Sequence, residues 1–231
     1  MTVEHTSPPV QIAQNGLRVS SLAALARARA EFEARHAVML PRLIEPALLA
    51  VIRRELQNGS FYERTHEGIG VELCLSSGPL AGALEFLLND PALFDSVRRI
   101  TGCGSIRCFE GRVYRMVPRS GHYDSWHTDA GRTRMVAMSV NLGTEPYCGG
   151  RLQIRDAETR RILHEVANVG EGDAVLFRIS RRLAHRVTPI EGTVAKTALA
   201  GWFRSEPDYR QLMRQRLGNA MQSRPRPAVT T

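Results

Sequence analysis

Residues 125–131 read Ser-Trp-His-Thr-Asp-Ala-Gly, so His127 and Asp129 stand two apart. On an extended strand that spacing sends both side chains to one face. An imidazole and a carboxylate on one face are two members of the 2-His-1-carboxylate set that holds non-haem Fe(II) and leaves positions open. The third member must come from elsewhere. His5 falls in the N-terminal leader and His36 and His66 in a helical half, while His122, His164 and His185 lie later. His185 sits in Leu-Ala-His-Arg-Val-Thr-Pro, between a strand signal and a proline turn, where a late strand can fold back beside 127 and 129. Taken alone, His-x-Asp is a weak signal, and an exposed or hydrogen-bonded pair is the ordinary alternative.

A second chemical signal follows eleven positions after His185. Lys196, in GTVAKTALAGWF (192–203), is the single lysine of the chain, and the other 30 basic residues are arginines. Its small and apolar neighbours suit an ammonium pointed inward at an anion. On a strand, Lys196, Ala198, Ala200 and Trp202 share a face, and the alanines leave room for a ligand. The competing reading is an outward lysine that blunts an edge strand.

These residues need elements to carry them. The chain has 231 residues, 43% of them hydrophobic, enough for one catalytic-size core with a helical flank. Residues 1–16 read as a loose leader. Ser20-Ser21 offer an N-cap to SLAALARARAEFEARHA, a short strand AVMLP ends at Pro41, and helices are expected over 45–56, 78–90 and 91–102. From about residue 105 the period changes to seven or eight short strands separated by Pro, Gly, Asp and Asn clusters, which argues for an antiparallel sandwich or jelly roll. A short helix follows Asp208, and the end, SRPRPAVTT, reads as flexible.

The net charge of +8 raises nucleic acid as a partner, but the arginines are scattered and no block of five basic residues occurs, which argues against it. Cys74, Cys103, Cys108 and Cys148 form no Cys-x-x-Cys pair. With no apolar h-region at the N-terminus and no membrane-length apolar run, the expectation is a reduced, cytoplasmic protein without a membrane partner.

The span 105–205 resembles the Fe(II)/2-oxoglutarate-dependent oxygenases, in particular their prolyl-4-hydroxylase-like branch. The resemblance rests on Trp-His-Thr-Asp, Ser-Val-Asn-Leu, Cys-Gly-Gly-Arg-Leu, Gly-Asp-Ala-Val-Leu-Phe, Leu-Ala-His-Arg-Val-Thr-Pro and Lys-Thr-Ala-Leu-Ala-Gly-Trp-Phe, in the family's order. It implies an α+β chain with a double-stranded β-helix (jelly-roll) core over 105–206, a helical flanking region over 17–104 that supports it, and a short helix with a flexible tail over 207–231. It further implies His127, Asp129 and His185 as iron ligands and Lys196 as the anchor for the distal carboxylate of 2-oxoglutarate, where many relatives carry an arginine. Tyr114 is the candidate to assist that carboxylate, and Asn141 to line the cosubstrate pocket. Trp126, Arg132, Arg134 and Arg151 are candidates for substrate contact at the mouth; a solvated face is the alternative for each arginine.

The implied cofactors are Fe(II), 2-oxoglutarate as cosubstrate, O2, and ascorbate as accessory reductant. Asp129 fills the position that halogenating relatives leave empty, so hydroxylation of an unactivated C–H bond is the expected reaction, with desaturation and ring closure using the same ligands. The expected substrate is a small molecule, an amino acid or a carrier-tethered intermediate; the rival is a peptidyl hydroxylase. From outside the enzyme class, a non-catalytic cupin-like metal-binding domain and a basic nucleic-acid adaptor compete. The oligomeric state is left open, a homodimer included.

Overall fold

Ser21 acts as the N-cap that the sequence calls for. Its hydroxyl accepts the Ala24 N–H at 3.1 Å and starts α1 (Leu22–Arg35), which buries Leu25, Ala28 and Phe32. The computed structural model describes residues 7–222, with side chains through residue 216. His5, the first six residues and the SRPRPAVTT end lie outside the described residues.

The loose-leader expectation for residues up to 16 is corrected over 10–16. β1 (Val10–Ala13) and β2 (Gly16–Val19) form an antiparallel hairpin, with Gly16 at φ +123. Val10 and Ile12 are buried, and the Ile12 backbone bonds to Leu43 and Glu45 on a distant loop. The strand is made by that non-local docking, so no local periodicity announces it.

β3 (Ala37–Leu40) and α2 (Pro46–Gln57), opened by Pro46, follow as expected. Next comes a hairpin absent from the expectation, β4 (Phe61–His66) and β5 (Gly70–Leu75). α3 (Pro79–Leu88) and α4 (Pro91–Thr101) stand at their predicted places, the latter capped by Asp90 and ended by Gly102 at φ 68. The strand-rich part comprises β6 (Cys108–Met116), β7 (Tyr123–Asp124), β8 (Arg134–Asn141), β9 (Cys148–Gly149) and β10 (Leu152–Asp156). It continues with β11 (Ile162–Val166), β12 (Ala174–Arg178), β13 (Leu183–Val187), β14 (Ile190–Glu191) and β15 (Lys196–Arg204), before α5 (Tyr209–Gln222).

The strands form a major sheet in the order β3-β12-β8-β15-β6-β5-β4, with β7 paired to β5, and a minor sheet in the order β11-β10-β13. All of these pairings are antiparallel. One face of the major sheet packs on the helices: Val136, Met138, Val140, Leu199 and Phe203 join Leu25, Phe32 and Phe94 in the largest buried cluster. Phe203 meets Phe94 and Phe109 edge-on, with ring centroids at 6.1 and 5.0 Å. The opposite face turns toward the minor sheet, where Ala137, Val175 and Phe177 meet Leu152, Ile154 and Leu183. This is the double-stranded β-helix with N-terminal support helices, an α+β jelly roll, and the space between its two sheets holds the polar residues. Among the described residues no helix is long and apolar enough to cross a membrane.

Candidate metal and cosubstrate site

His127 and Asp129 do not share a strand, because β7 ends at Asp124. His127 instead makes an isolated antiparallel bridge with His185: each backbone N–H donates to the other residue's carbonyl, at 3.1 and 2.9 Å. That bridge, rather than strand alternation, sets the two imidazoles against each other with ring centroids 4.4 Å apart. The loop after it returns Asp129 to the same place, and one ligand atom from each of His127, Asp129 and His185 lies within 4.8 Å of the others. His185 is itself held by β13, paired opposite Ile154 of β10.

The protonation states follow from the partners. His127 Nδ1 is 2.7 Å from the Ser125 carbonyl, which can only accept, so Nδ1 carries the proton and Nε2 presents its lone pair. Asp124 supports the same ring, with Oδ1 at 3.5 Å from Nδ1 and Oδ2 accepting the Val187 N–H at 2.6 Å. Asp129 Oδ2 accepts the Trp202 indole N–H at 2.8 Å and lies 3.2 Å from His185 Nε2. Burial by itself would raise the Asp129 pKa, but His185, Trp202 and His127 together hold it down to about 2, so the carboxylate is ionised.

The triad opens on a cavity of about 210 Å³ between the sheets, and Lys196 lies on its wall. Lys196 is 3% exposed, and its one hydrogen bond among the described residues donates to the Gly150 carbonyl at 2.9 Å. The Tyr147 ring centroid stands 5.5 Å from Nζ. Burial lowers the ammonium pKa to about 8, opposed by the negative charge of Asp124. The Gly-Gly motif earns its place here. Gly149 and Gly150 both take positive φ (69 and 58), and a Cβ on Gly149 would stand 2.1 Å from the Pro189 carbonyl oxygen. Only glycine lets the chain pass there and aim the Gly150 carbonyl at Lys196.

The other predicted site residues divide. Tyr114 is buried on the cavity wall, where desolvation raises its pKa and keeps the phenol neutral. Arg134 also lines the cavity; it donates to Asp129 Oδ1 at 3.2 Å and stacks 3.7 Å from the Trp202 ring centroid. Asn141 is corrected: it does not line the cavity, because its amide donates to Gly170 and its carbonyl accepts from Gly143, a tie between two loops. Trp126 is corrected too. It lies off the cavity, between Arg155 and Arg186 at 4.0 and 4.6 Å from its ring. Arg132 is exposed off the cavity, and Arg151 pairs with Glu165 on the outer surface.

Four cavity groups went unread in the sequence: His66, Glu72, Arg112 and Asp124. Glu72 is 8% exposed and accepts from Arg112, from His66 at 3.0 Å and from Cys74 at 3.4 Å. Burial would raise its pKa, but Arg112 and His66 overcome that and hold it below the usual range. The signal hidden in GVELCL is an inverted alternation, in which Gly70, Glu72 and Cys74 are buried while Val71, Leu73 and Leu75 are only half-buried.

The donor set fits iron. Two imidazoles and one ionised carboxylate meet on one side of a cavity, with no hydrogen bond to the Nε2 of His127 among the described residues, the arrangement preferred by non-haem Fe(II). The cavity also fits a small dicarboxylate, since a buried ammonium with only a carbonyl partner is costly unless an anion joins it.

Residues 111–204 match the family model of the 2OG-Fe(II) oxygenase superfamily. Comparison with curated protein sequences finds no match. Among solved structures, a Pseudomonas putida prolyl-4-hydroxylase is similar at 23% identity, covering 79% of this chain and 99% of that one with a TM-score of 0.59. A Trichoplax adhaerens prolyl hydroxylase, solved with a hypoxia inducible factor peptide fragment, is similar at 16% identity, covering 88% and 94% with a TM-score of 0.58. The non-heme alpha ketoglutarate dependent epimerase SnoN from nogalamycin biosynthesis is similar at 15% identity, covering 80% and 82% with a TM-score of 0.56. The likenesses to solved structures speak to the fold, and the match over residues 111–204 speaks to the family. The strand-rich span 111–204 thus matches the 2OG-Fe(II) oxygenase superfamily, and that match supports an oxidoreductase working with Fe(II), 2-oxoglutarate and O2.

Proposed function

We propose that this protein hydroxylates an unactivated C–H bond of a small molecule, with His127, Asp129 and His185 as the iron ligands and Lys196 as the anchor for 2-oxoglutarate. One observation carries the reading: three ligand atoms converge on a cavity between the sheets whose wall bears a buried lysine with no acidic partner in hydrogen-bond contact among the described residues. Bound iron with its cosubstrate supplies the oxidising chemistry, in which 2-oxoglutarate and O2 become succinate, CO2 and one oxygen atom inserted into the substrate C–H bond.

The residues of the chain prepare that event. Ser125 and Asp124 hold His127 in the tautomer that offers Nε2. The Trp202 N–H occupies Oδ2 of Asp129 and orients the carboxylate. Lys196 supplies a point charge for the distal carboxylate of the cosubstrate, and Ala198 and Ala200 keep the floor between anchor and triad low. Tyr114, held neutral, has a hydroxyl to offer the same carboxylate. Val175, Phe177 and Leu152 line the cavity with apolar surface and limit water there.

The test is anaerobic titration of the protein with Fe(II) and 2-oxoglutarate. The expected result is the weak visible charge-transfer band of the chelate, lost in Asp129→Ala, which is also expected to release no succinate once O2 is admitted. A band of undiminished strength in Asp129→Ala would overturn the ligand assignment.

A further inference from the structure

The cavity wall carries an ion pair that the reading above leaves unused. Glu72 on β5 and Arg112 on β6 both line the cavity, and the guanidinium also lies 5.9 Å from the Tyr114 ring centroid. The pair is lopsided. Arg112 Nε, His66 Nε2 and Cys74 Sγ all contact the same oxygen, Oε1 of Glu72. Among the described residues no hydrogen bond reaches Oε2, and none leaves the two terminal nitrogens of Arg112. A carboxylate only 8% exposed thus keeps one oxygen free, beside a guanidinium with its planar fork free.

Position separates this pair from the proposed cosubstrate anchor. β5 lies two strands from β15 across β6. At about 4.8 Å per strand, Glu72 is about 10 Å from Lys196 across the sheet. A ligand on the pair and a carboxylate on Lys196 therefore occupy different parts of the cavity.

Charge defines the ligand. A simple anion gains from Arg112 but is repelled by Glu72, and a simple cation meets the reverse. A molecule bearing both an ammonium and a carboxylate, close together, satisfies both groups without adding net charge to a partly desolvated site. An interior residue of a peptide has neither group on its backbone.

We propose that the substrate is a free α-amino acid, its ammonium donating to Oε2 of Glu72 and its carboxylate received by the terminal nitrogens of Arg112. This rests on the oxygenase reading and narrows its substrate. The atoms balance as in any hydroxylation of the class: one oxygen of O2 enters the amino-acid C–H bond, the other enters succinate, and CO2 leaves.

The experiment uses the full-length protein with 2-oxoglutarate and Mn(II) in place of iron, and reads the melting temperature against a panel of free L-amino acids. Each is compared with its N-acetyl and methyl-ester derivative, and succinate release by the iron-loaded protein is measured in parallel. At least one free amino acid is expected to raise the melting temperature and to stimulate succinate release. Each derivative is expected to bind about tenfold or more weakly, the loss typical of one charged hydrogen bond. Glu72→Gln is expected to abolish the discrimination against the N-acetyl form only, and Arg112→Gln that against the methyl ester only. A merely structural ion pair would weaken all three ligands alike, which overturns the proposal. So does a panel without any binder in protein that still binds 2-oxoglutarate, and that result leaves the oxygenase reading standing. Failure to bind 2-oxoglutarate at all would instead strike the oxygenase reading itself.

Discussion

Strand β15 has two faces with opposite tasks. Leu199 and Phe203 point to the helices and are buried in a continuous apolar cluster. Lys196, Ala198, Ala200 and Trp202 alternate with them and point to the cavity, where two small side chains separate a charge from an indole donor. The helix side fills volume with Leu199 and Phe203, its buried Thr197 hydroxyl satisfied by Arg115, whereas the cavity side leaves volume empty and holds polar groups short of partners. Stability and chemistry are thus separated by one residue of strand period, and substitutions on the two faces are expected to fail differently.

The largest effect falls on the packed face. Phe203→Ala removes a ring between Phe94 and Phe109 and is expected to cost about 3–5 kcal/mol of folding stability by urea unfolding. On the cavity face, Lys196→Met keeps most of the volume and deletes the charge. It is expected to weaken 2-oxoglutarate binding about a hundredfold, measured calorimetrically, because one partner of a buried charge pair is lost. Folding stability should hold or rise, since an ammonium no longer has to be buried. A Lys196→Met protein that unfolded as readily as Phe203→Ala would erase the contrast between the faces.

A pH series sharpens the same contrast. With the Lys196 pKa lowered to about 8 in the fold from an ordinary 10.5, the unfolded chain binds the extra proton between those values. Stability from this group therefore rises as pH climbs through that window. Cosubstrate affinity is expected to move the other way, because the proposed anchor must be charged: it should fall by about tenfold per pH unit above 8 in the wild type and stay flat in Lys196→Met. The smallest effect belongs to Arg132. Exposed and off the cavity, Arg132→Ala is expected to change stability by less than about 0.5 kcal/mol and succinate release by less than the scatter of the assay.

Much of this contrast could be read from the residue order. The alternation of KTALAGWF names both faces of β15, and the first two helices follow the N-cap at Ser21 and the first-turn Pro46. The meeting of His127, Asp129 and His185 was legible from residue type and family order, although the physical route differs: a backbone bridge between residues 127 and 185 does what strand alternation was expected to do. What escaped depends on distant partners. Val10 and Ile12 become a strand through the 43–45 loop, and β5 hides because its most buried positions are Gly70, Glu72 and Cys74 rather than its larger apolar residues. Asn141 and Trp126 misled for the converse reason, since a polar or aromatic side chain near a motif is as easily claimed by neighbouring loops and arginines as by a ligand.

The chain has two tryptophans, one preceding His127 and one bonded to Asp129. Its tryptophan emission therefore comes from one indole bonded to the triad carboxylate and one held between Arg155 and Arg186, next in sequence to His127. The protein carries a built-in optical gauge, in which quenching of Trp202 on ferrous loading reads the site and a red shift on unfolding reads the fold around it.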